Sequence, residues 1–303
     1  MIEIGFIGTG TIGGPIAARL IDRAHPLRVF DLNREATRPH EAKGARRAAS
    51  LAEIAHTCTT VFLSLPGPPQ IHDVVLGEGG LLAHAEALST IIDLSTNSIA
   101  LNRQLAEAAR SQGIQYLDAP VSGGKVAARG GTLAVMVGGD QATFDATRHL
   151  LECFGEHLFY MGPAGAGTLT KLVNNQIFLS ASVLIQEGFV MGAKAGMDPN
   201  AILEVLKVSS AGSLLARAPL VLSRKFDMEV FALSIAAKDI AVALASADAV
   251  GAQMPMTAAA SGVYQRALAD GLGAEDFFAT VKVLEAAAGV TLPPLQKRPA
   301  DRP

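Results

Sequence analysis

Short hydrophobic runs alternate with amphipathic stretches along the first half of the chain. Helical patterns at Ile16–Ala24 and Ile99–Gln112 lie between these runs, and Ser50 and Glu53 have the spacing of a helix capping box. Strands that alternate with helices predict βαβ units and a mainly parallel sheet. The predicted strands are Ile2–Ile7, Leu27–Phe30, Thr60–Leu65, Thr90–Leu94, Ile114–Leu117, Leu133–Val137 and His157–Tyr160.

Only helical patterns follow from about Gly167 onward, and Leu169–Ala195 is a single long pattern with few interruptions. We therefore predict an α/β domain over residues 1–162 and an all-helical domain over residues 163–290, of which 163–195 form a connecting helix. The proline-rich, charged residues 291–303 are predicted to be a disordered tail. The further helices are predicted at Pro199–Val208, Ile235–Val250, Pro255–Asp270 and Ala274–Ala287.

The composition is that of a globular protein without a strongly charged surface. Of the 303 residues, 50% are hydrophobic and 17% are charged, and the formal net charge is −3. Without long basic runs, neither nucleic acid nor a membrane surface is an expected partner. No uninterrupted apolar run reaches the roughly 20 residues that a membrane span needs. The chain begins with a strand pattern rather than a signal peptide, so we expect a cytoplasmic protein. The two cysteines and the scattered histidines lack metal-ligand spacing, so no metal is expected.

The segment Gly8-Thr9-Gly10-Thr11-Ile12-Gly13 has the G-x-G-x-x-G pattern, follows the first predicted strand and opens the first helix. In such a turn the first glycine allows a tight bend, the second lets the backbone approach a pyrophosphate, and the third lets helix and strand pack closely. The N-terminus of the helix then presents its positive end to the phosphates. We predict that a dinucleotide contacts Gly8, Gly10, Thr11, Ile12 and Gly13. The alternative is a glycine-rich turn that binds no ligand.

Asp31 ends the second predicted strand. A carboxylate at this position accepts hydrogen bonds from the ribose hydroxyls of NAD and repels the 2′-phosphate of NADP. Arg34 lies three residues further on, where a guanidinium would accommodate that phosphate. The sequence therefore favours NAD and leaves NADP open.

Further polar residues follow other predicted strands. The segments Ser64-Leu65-Pro66-Gly67 and Leu94-Ser95-Thr96-Asn97 each end an apolar run, where ligands bind in parallel sheets, although ordinary loops share this composition. Ser122-Gly123-Gly124 offers consecutive backbone N–H groups that suit a carboxylate. Lys171 and Asn175 are one turn apart on the long helix and share a face. By local pattern alone, Lys171 is either a site residue or an exposed surface lysine.

Together these segments resemble the β-hydroxyacid dehydrogenase family, which includes 3-hydroxyisobutyrate dehydrogenase and tartronate semialdehyde reductase. The resemblance covers about residues 1–288, and its motifs stand in the order that the family has. It implies an N-terminal Rossmann-type dinucleotide-binding domain of α/β class, joined by a long helix to an all-α C-terminal domain. The motifs are residues 5–15, Asp93-Leu94-Ser95-Thr96, the run from Asp118 to Gly124, the run from Lys171 to Asn175, and Lys238-Asp239.

The resemblance implies a role for each matching residue. Lys171 would be catalytic, and the protein would be a homodimer or homotetramer. A small carboxylate substrate would contact Ser122, Gly123, Gly124 and Asn175, with Phe231 and Asp239 closing the site by looser matches. The cofactor would contact the glycine loop, Leu65, Pro66, Thr96 and Lys238.

One departure from the family concerns the loop after Ser95-Thr96, which continues as Asn97-Ser98-Ile99-Ala100 where relatives often have a proline. In relatives this loop lies near the substrate. The substrate therefore cannot be carried over from the family.

The chemistry that the resemblance implies is hydride transfer between a nicotinamide and a small hydroxyacid, with Lys171 as the general acid or base. Three alternatives are a non-catalytic dinucleotide-binding or scaffold protein, an imine reductase and a 6-phosphogluconate dehydrogenase. Scaffold relatives and imine reductases lack the lysine that stands at position 171. A 6-phosphogluconate dehydrogenase has a helical domain much longer than the one predicted here.

Overall fold

A computed structural model describes residues 3–212, 218–227 and 230–294 of the chain. It has the predicted α/β architecture followed by an all-helical part, so the expected fold class is confirmed. The chain divides into two compact units, Met1–Val173 and Asn174–Pro303. The division lies inside the long helix, and the domain boundary expected after residue 162 stays a prediction.

The first unit is built on one sheet with the strand order β3-β2-β1-β4-β5-β6-β8-β7, and β9 pairs with β8. All pairings are parallel except those of β6 and β7 with β8. From β1 the sheet extends in two directions, through β2 and β3 on one side and through β4 and β5 on the other. Ligands of such sheets bind at this switch point. The strands are β1 (Glu3–Ile7), β2 (Leu27–Phe30), β3 (Arg46–Arg47), β4 (Cys58–Leu63), β5 (Thr90–Asp93), β6 (Gln115–Asp118), β7 (Val121–Ser122), β8 (Leu133–Gly138) and β9 (Gly155–Gly162).

Helices cover both faces of the central part of this sheet, so the strands β1, β4 and β5 are buried on both sides. Along β4, the side chain of Phe62 joins one core cluster, whereas Val61 and Leu63 join the other. Because these parallel strands are buried on both faces, they form continuous apolar runs in the sequence. The helices of this unit are α1 (Gly13–Asp22), α2 (Arg34–Glu41), α3 (Leu51–Thr57), α4 (Pro68–Leu76), α5 (Ile99–Arg110), α6 (Gly124–Gly130), α7 (Gln141–Leu151) and the beginning of α8 (Ala166–Lys194).

The predicted capping box is present at the start of α3. The Ser50 hydroxyl accepts a hydrogen bond from the Glu53 backbone N–H at 3.2 Å, and the Glu53 carboxylate accepts one from the Ala49 N–H at 2.8 Å. The reciprocal bond thus reaches one residue further back than in the usual box. These bonds satisfy backbone donors at the beginning of the helix.

Some elements have no clear signal in the sequence. The buried residues of α2 are Thr37 and His40, so an apolar periodicity is missing there. The strands β3 and β7 are two residues long. The helix expected over Ala274–Ala287 begins only at Thr280, because residues 272–274 and 277–279 form separate 3₁₀ turns. The Asp276 carboxylate holds this region by accepting hydrogen bonds from the N–H groups of Val230 and Phe278.

The second unit contains helices only, apart from an isolated bridge between Ala232 and Asp276 among the described residues. Its core contains large side chains such as Phe189, Tyr264 and Phe277, and the small alanines of α11. Its helices are the remainder of α8, α9 (Pro199–Lys207), α10 (Ala218–Ser223), α11 (Leu233–Asp248), α12 (Pro255–Ala269) and α13 (Thr280–Ala288). Of the predicted tail, Leu292 is buried and its N–H donates to Glu285 at 2.7 Å, whereas residues 295–303 lie outside the described residues.

By length and composition alone, α8 is long and apolar enough to cross a membrane, with a mean hydropathy of 1.3 in its most apolar window. A buried core helix meets the same criterion, and 39% of that window is buried. Gln186 is fully buried on α8, and its amide pairs with the hydroxyls of Ser182 and Thr280. Such internal pairing is typical of a core helix, so the apolar composition is weak evidence for a membrane span.

Candidate active site

The glycine loop after β1 has the geometry that a pyrophosphate requires. Gly8 has a φ of +91°, and a Cβ atom there would lie 2.2 Å from the carbonyl oxygen of Ser64. A Cβ atom on Gly13 would lie 2.0 Å from the carbonyl oxygen of Gly8. Beside Gly10, in contrast, a Cβ atom would meet nothing within 4 Å. The outer glycines thus close the turn, and the middle one leaves the open space that phosphate oxygens would need to approach the backbone.

Asp31 follows β2 and is tied to this loop. Its carboxylate accepts a hydrogen bond from the Thr9 backbone N–H at 2.8 Å and another from the Asn33 N–H at 2.8 Å. Leu32 and Arg34 next to it are exposed to solvent. A dinucleotide fits this arrangement, with Asp31 beside the ribose and the glycine loop beside the phosphates.

The other loops with predicted cofactor contacts lie at the same edge of the sheet. The strands β1, β4 and β5 are neighbouring and parallel, so the residues that follow them lie side by side. The Leu65 backbone N–H donates to the Ser95 hydroxyl at 2.8 Å and so joins two of these loops. Pro66 is exposed and Thr96 is half-buried. The structure therefore brings Leu65, Pro66 and Thr96 to the edge that carries the glycine loop.

The predicted carboxylate-binding segment begins in β7 and ends in α6. Ser122 pairs with Ala134 of β8. Gly123 and Gly124 have φ values of +134° and +71°, and a Cβ atom on Gly123 would lie 2.6 Å from that of Ala127. Only glycine adopts such a backbone conformation without strain. Both glycines are therefore required by the course of the chain.

The beginning of α8 lies directly on the ends of β6 and β8. A Cβ atom on Gly167 would lie 2.2 Å from the Met136 carbonyl oxygen and 2.6 Å from that of Asp118. The Asp118 carboxylate accepts hydrogen bonds from the N–H groups of Gly165 and Thr168, both at 2.7 Å. Lys171 follows Thr168 by three residues and so extends from the next turn of this anchored helix.

A network of buried polar side chains connects this helix to the loop after β5. The Tyr116 hydroxyl donates to Asp93 at 2.9 Å and also lies 2.9 Å from the Asn102 side-chain oxygen. The Asn97 amide donates to the same oxygen of Asn102 at 2.6 Å. Asn102 in turn donates to the Thr168 hydroxyl at 2.5 Å. The contacts therefore run without interruption from the loop that carries Thr96 to the helix that carries Lys171.

Burial changes the titration of this network. Burial raises the pKa of the Asp118 carboxyl to about 6, although its two backbone hydrogen bonds oppose that rise. Burial also raises the pKa of Asp93 and, together with the nearby carboxylates, that of the Tyr116 hydroxyl. Tyr116 therefore remains a neutral donor.

This network was not among the site residues predicted from the sequence. The available signal was that Asp93 and Asp118 each end an otherwise apolar strand, where an aspartate has no packing role. The partners of these carboxylates lie too far away in sequence for a local pattern to reveal them.

Three of the residues predicted from the second half form one cluster within the second unit. The Asn175 amide donates to the Asp239 carboxylate at 2.6 Å, and the Lys238 ammonium lies 2.6 Å from the other oxygen of that carboxylate. The Asn174 amide donates to the Asn175 side-chain oxygen at 3.0 Å. These bonds fix the orientation of the Asn175 amide. The Phe231 ring stacks on that of Phe277 with 4.7 Å between the centroids, so at least one face of the ring serves packing.

Among the residues that the structure describes, no group of three or more histidine, cysteine, aspartate or glutamate side chains is arranged to hold a metal ion.

The candidate site consists of the glycine loop, Asp31, the loops after β4 and β5, the Ser122–Gly124 segment and the beginning of α8. It combines a dinucleotide cradle, an anion-binding segment and a lysine.

Comparison with known proteins agrees with this combination. A family model described as the NAD binding domain of 6-phosphogluconate dehydrogenase matches residues 3–162. Another, described as NAD-binding of NADP-dependent 3-hydroxyisobutyrate dehydrogenase, matches residues 165–284. The two matches together span almost the whole chain.

Individual relatives align over nearly their full length. The 2-(hydroxymethyl)glutarate dehydrogenase of Eubacterium barkeri is 34% identical over 296 residues, which cover 96% of this chain and 97% of the relative. The 3-hydroxyisobutyrate dehydrogenase of Pseudomonas aeruginosa is 35% identical over 275 residues, which cover 87% of this chain and 91% of the relative. The solved structure of Mycobacterium tuberculosis 3-hydroxyisobutyrate dehydrogenase with L-serine has a TM-score of 0.83 and 29% identity, and covers 94% and 99% of the two chains.

The chain therefore belongs to the β-hydroxyacid dehydrogenase family. It is an NAD(P)-dependent oxidoreductase that acts on the hydroxyl group of a hydroxyacid, or on the corresponding carbonyl compound in the reverse direction. The predicted family, enzyme class and cofactor class are thereby confirmed.

Proposed function

We propose that this enzyme oxidises a small β-hydroxyacid, or reduces its semialdehyde, with Lys171 as the proton-transfer residue. The observation that carries this proposal is the anchoring of α8. Its first turn is bound to the ends of β6 and β8, from which the chain also runs into the Ser122–Gly124 segment. A lysine and an anion-binding segment held by the same strands suit a substrate with a carboxylate near its hydroxyl group.

The names of the relatives support a substrate class. Both 2-(hydroxymethyl)glutarate and 3-hydroxyisobutyrate carry a hydroxymethyl group on the carbon next to a carboxylate. We propose the same unit, a primary alcohol β to a carboxylate, for the substrate of this enzyme. The departure at Asn97–Ala100 leaves the remainder of the substrate open.

The residues of the chain act by holding and by proton transfer. The backbone N–H groups of Ser122, Gly123 and Gly124 hold the carboxylate, and Asn175, one turn after Lys171 on α8, adds a further contact. In oxidation the Lys171 amine accepts the hydroxyl proton as the C–H bond breaks, and in reduction the ammonium returns it. The bound nicotinamide supplies the hydride acceptor or donor. Holding the substrate in one orientation lowers the barrier by several kcal/mol, since positioning alone is worth about 7–11 kcal/mol at best.

The residues that would hold the cofactor are those of the glycine loop, Leu65, Pro66, Thr96 and Lys238. We propose NAD as the preferred cofactor, because the Asp31 carboxylate lies beside the glycine loop and would repel a 2′-phosphate. Phe231 and Asp239 stay predicted substrate contacts.

The experiment is an absorbance assay at about 340 nm, the usual wavelength for a reduced nicotinamide. It uses three- and four-carbon β-hydroxyacids with each cofactor and compares the wild type with Lys171→Ala. Lys171→Ala should lower turnover about 10²–10⁴-fold and leave the melting temperature and the affinity for NADH nearly unchanged. Lys194→Ala is the matched control, because Lys194 is the exposed last residue of the same helix. Turnover of the Lys171→Ala enzyme close to that of the wild type would overturn the catalytic assignment. An equal loss of turnover in Lys171→Ala and Lys194→Ala would also overturn this assignment.

We further propose that the enzyme is a cytoplasmic homodimer or homotetramer. Ile177, Leu184 and Met191 of α8 are exposed apolar side chains at seven-residue spacing, so they lie on one face of the helix. Such a stripe favours burial against another subunit. Sedimentation equilibrium measures the oligomeric state, and a monomer at all concentrations would contradict the proposal.

A further inference from the structure

We infer that Asp118 is a positioning residue for Lys171: its buried carboxylate fixes the first turn of α8 and thereby the place from which the lysine side chain extends. This inference rests on the proposed role of Lys171. Nothing in the sequence motif assigns such a role to Asp118, which precedes the anion-binding segment by a few residues.

The carboxylate uses both of its oxygens on α8. One oxygen accepts the Gly165 N–H and the other accepts the Thr168 N–H, each at 2.7 Å. These donors belong to the beginning of the helix, where backbone N–H groups have no partner within the helix itself. The two N–H groups are three residues apart in the chain. Two bonds to one carboxylate therefore fix both the position and the tilt of the first helical turn relative to β6.

The backbone around Asp118 leaves no freedom for that turn to move. A Cβ atom on Gly138 would lie 2.6 Å from the Asp118 Oδ1 atom and 2.8 Å from the Gly167 nitrogen. One on Gly167 would lie 2.2 Å from the Met136 carbonyl oxygen. Helix and strands therefore meet backbone to backbone, and no flexible side chain lies between them to absorb a shift.

A second bond fixes the rotation of the helix about its axis. The Asn102 amide donates to the Thr168 hydroxyl at 2.5 Å, and Asn102 is itself held by Tyr116 and Asn97. Thr168 and Lys171 are three residues apart and so are neighbours on the helix surface. Once Thr168 is held at both its backbone and its side chain, the direction of Lys171 is set.

The burial of Asp118 distinguishes it from an ordinary helix cap. Asp140 caps α7 in the same unit by accepting the Thr143 N–H at 2.8 Å, and it does so at the surface. Asp118 is 1% exposed and has Asp93 as an ionisable neighbour. Burying an ionised carboxylate opposes folding, and burial raises the pKa of this one to about 6. A surface cap would satisfy the helix without that penalty, which favours a functional reason for the buried group.

The test compares Asp118→Asn with the matched control Asp140→Asn. Asparagine keeps the shape of the side chain but replaces one acceptor oxygen by an N–H₂ group, which cannot accept from a backbone N–H. We expect Asp118→Asn to lower kcat about 10- to 100-fold, because misplacing a reacting group by ~1 Å has an effect of that size. The dissociation constant for NADH should change less than threefold. Asp140→Asn should leave kcat unchanged.

A double-mutant cycle with Lys171→Ala separates positioning from a general structural role. For a turnover of roughly 10 s⁻¹, the residual rate without the lysine is on the order of 10⁻³ to 10⁻¹ s⁻¹, which micromolar enzyme makes measurable. If Asp118 acts through Lys171, Asp118→Asn should change this residual rate less than threefold. An equal loss with and without the lysine would overturn the inference, as would normal turnover of the single variant.

Failure of the inference about Asp118 can be distinguished from misfolding of the variant and from failure of the proposed function. If Asp118→Asn does not fold, the same cycle is run with Thr168→Val, which removes the bond to Asn102 without changing a charge, and the same criteria apply. If Lys171→Ala turns over normally, the proposed function fails and the inference falls with it. If Lys171→Ala is inactive while a folded Asp118→Asn leaves kcat unchanged, the inference alone fails.

Discussion

The backbone N–H of Thr9 donates a hydrogen bond of 2.8 Å to the carboxylate of Asp31. The residue expected to select the cofactor therefore also holds the loop that is expected to bind its phosphates. A change at Asp31 affects the charge beside the ribose and the conformation of the glycine loop at once, so a single substitution does not separate the two effects.

Asp31→Asn and Asp31→Ala together make that separation. Asparagine removes the charge but keeps an oxygen for the Thr9 N–H, so its use of NADP relative to NAD should rise about tenfold or more. The repulsion removed is on the order of 1–4 kcal/mol for charges about 4 Å apart. Alanine should show the same shift in preference but weaker binding of both cofactors. The ratio of kcat/KM for the two cofactors measures the preference, and a wild type that prefers NADP would contradict this interpretation of Asp31.

Gly123→Val should weaken substrate binding much more than cofactor binding. Valine is strained at a φ of +134°, and its side chain would collide with Ala127 of α6. The collision would distort the Ser122–Gly124 segment, which is proposed to hold the substrate carboxylate. We expect KM for the hydroxyacid to rise at least tenfold while the dissociation constant for NADH stays within threefold. Gly113→Val is the control, because Gly113 has a φ of +75° with open space around it, so it tests backbone strain alone. If both variants lose substrate affinity equally, the anion-binding role of the segment is wrong.

The raised pKa of Asp118 predicts how stability depends on pH. Its pKa is about 6 in the folded protein against an ordinary value of 3.8. Because the folded state binds this proton more tightly, the protonated group contributes stability below pH ~4 that is lost as the pH rises through about 6. The difference of about two units corresponds to at most about 3 kcal/mol.

Urea denaturation of the wild type and Asp118→Asn between about pH 4 and 7 measures this effect. The free energy of unfolding of the wild type, relative to that of the variant, should fall as the pH rises. Asp93 is present in both proteins, so the difference reports the carboxyl group of Asp118 together with its coupling to Asp93. A constant difference across this range would show that the carboxyl group of Asp118 does not titrate there.

The sequence predicts those features whose cause is local. The bounds of β2 are those expected from its apolar run, and the glycine motif adopts the turn that its pattern indicates. The helix α2 escapes prediction because its buried side chains are Thr37 and His40, which have no apolar period. Family resemblance supplied the role of Lys171, since a lysine near the start of a helix has no distinctive local signal.

The buried network lies beyond such prediction for a different reason. Asp118 bonds to N–H groups 47 and 50 residues away, and Tyr116 reaches a carboxylate 23 residues back in the chain. Which polar side chain satisfies which donor depends on the packed arrangement of β5, β6, α5 and α8. Periodicity describes each element alone and contains no information about these pairings.

The contact between Gly138 and Gly167 has a consequence for engineering this enzyme. Helix and sheet meet here through backbone atoms, so main-chain contacts rather than flexible side chains set the place of the helical turn that precedes Lys171. Val126 and Ala100 are exposed, so substitutions there should leave this backbone contact intact and with it the place of the proposed catalytic lysine. To accept a new substrate, residues other than Lys171 must be changed, because backbone contacts fix the position of the helix that carries Lys171.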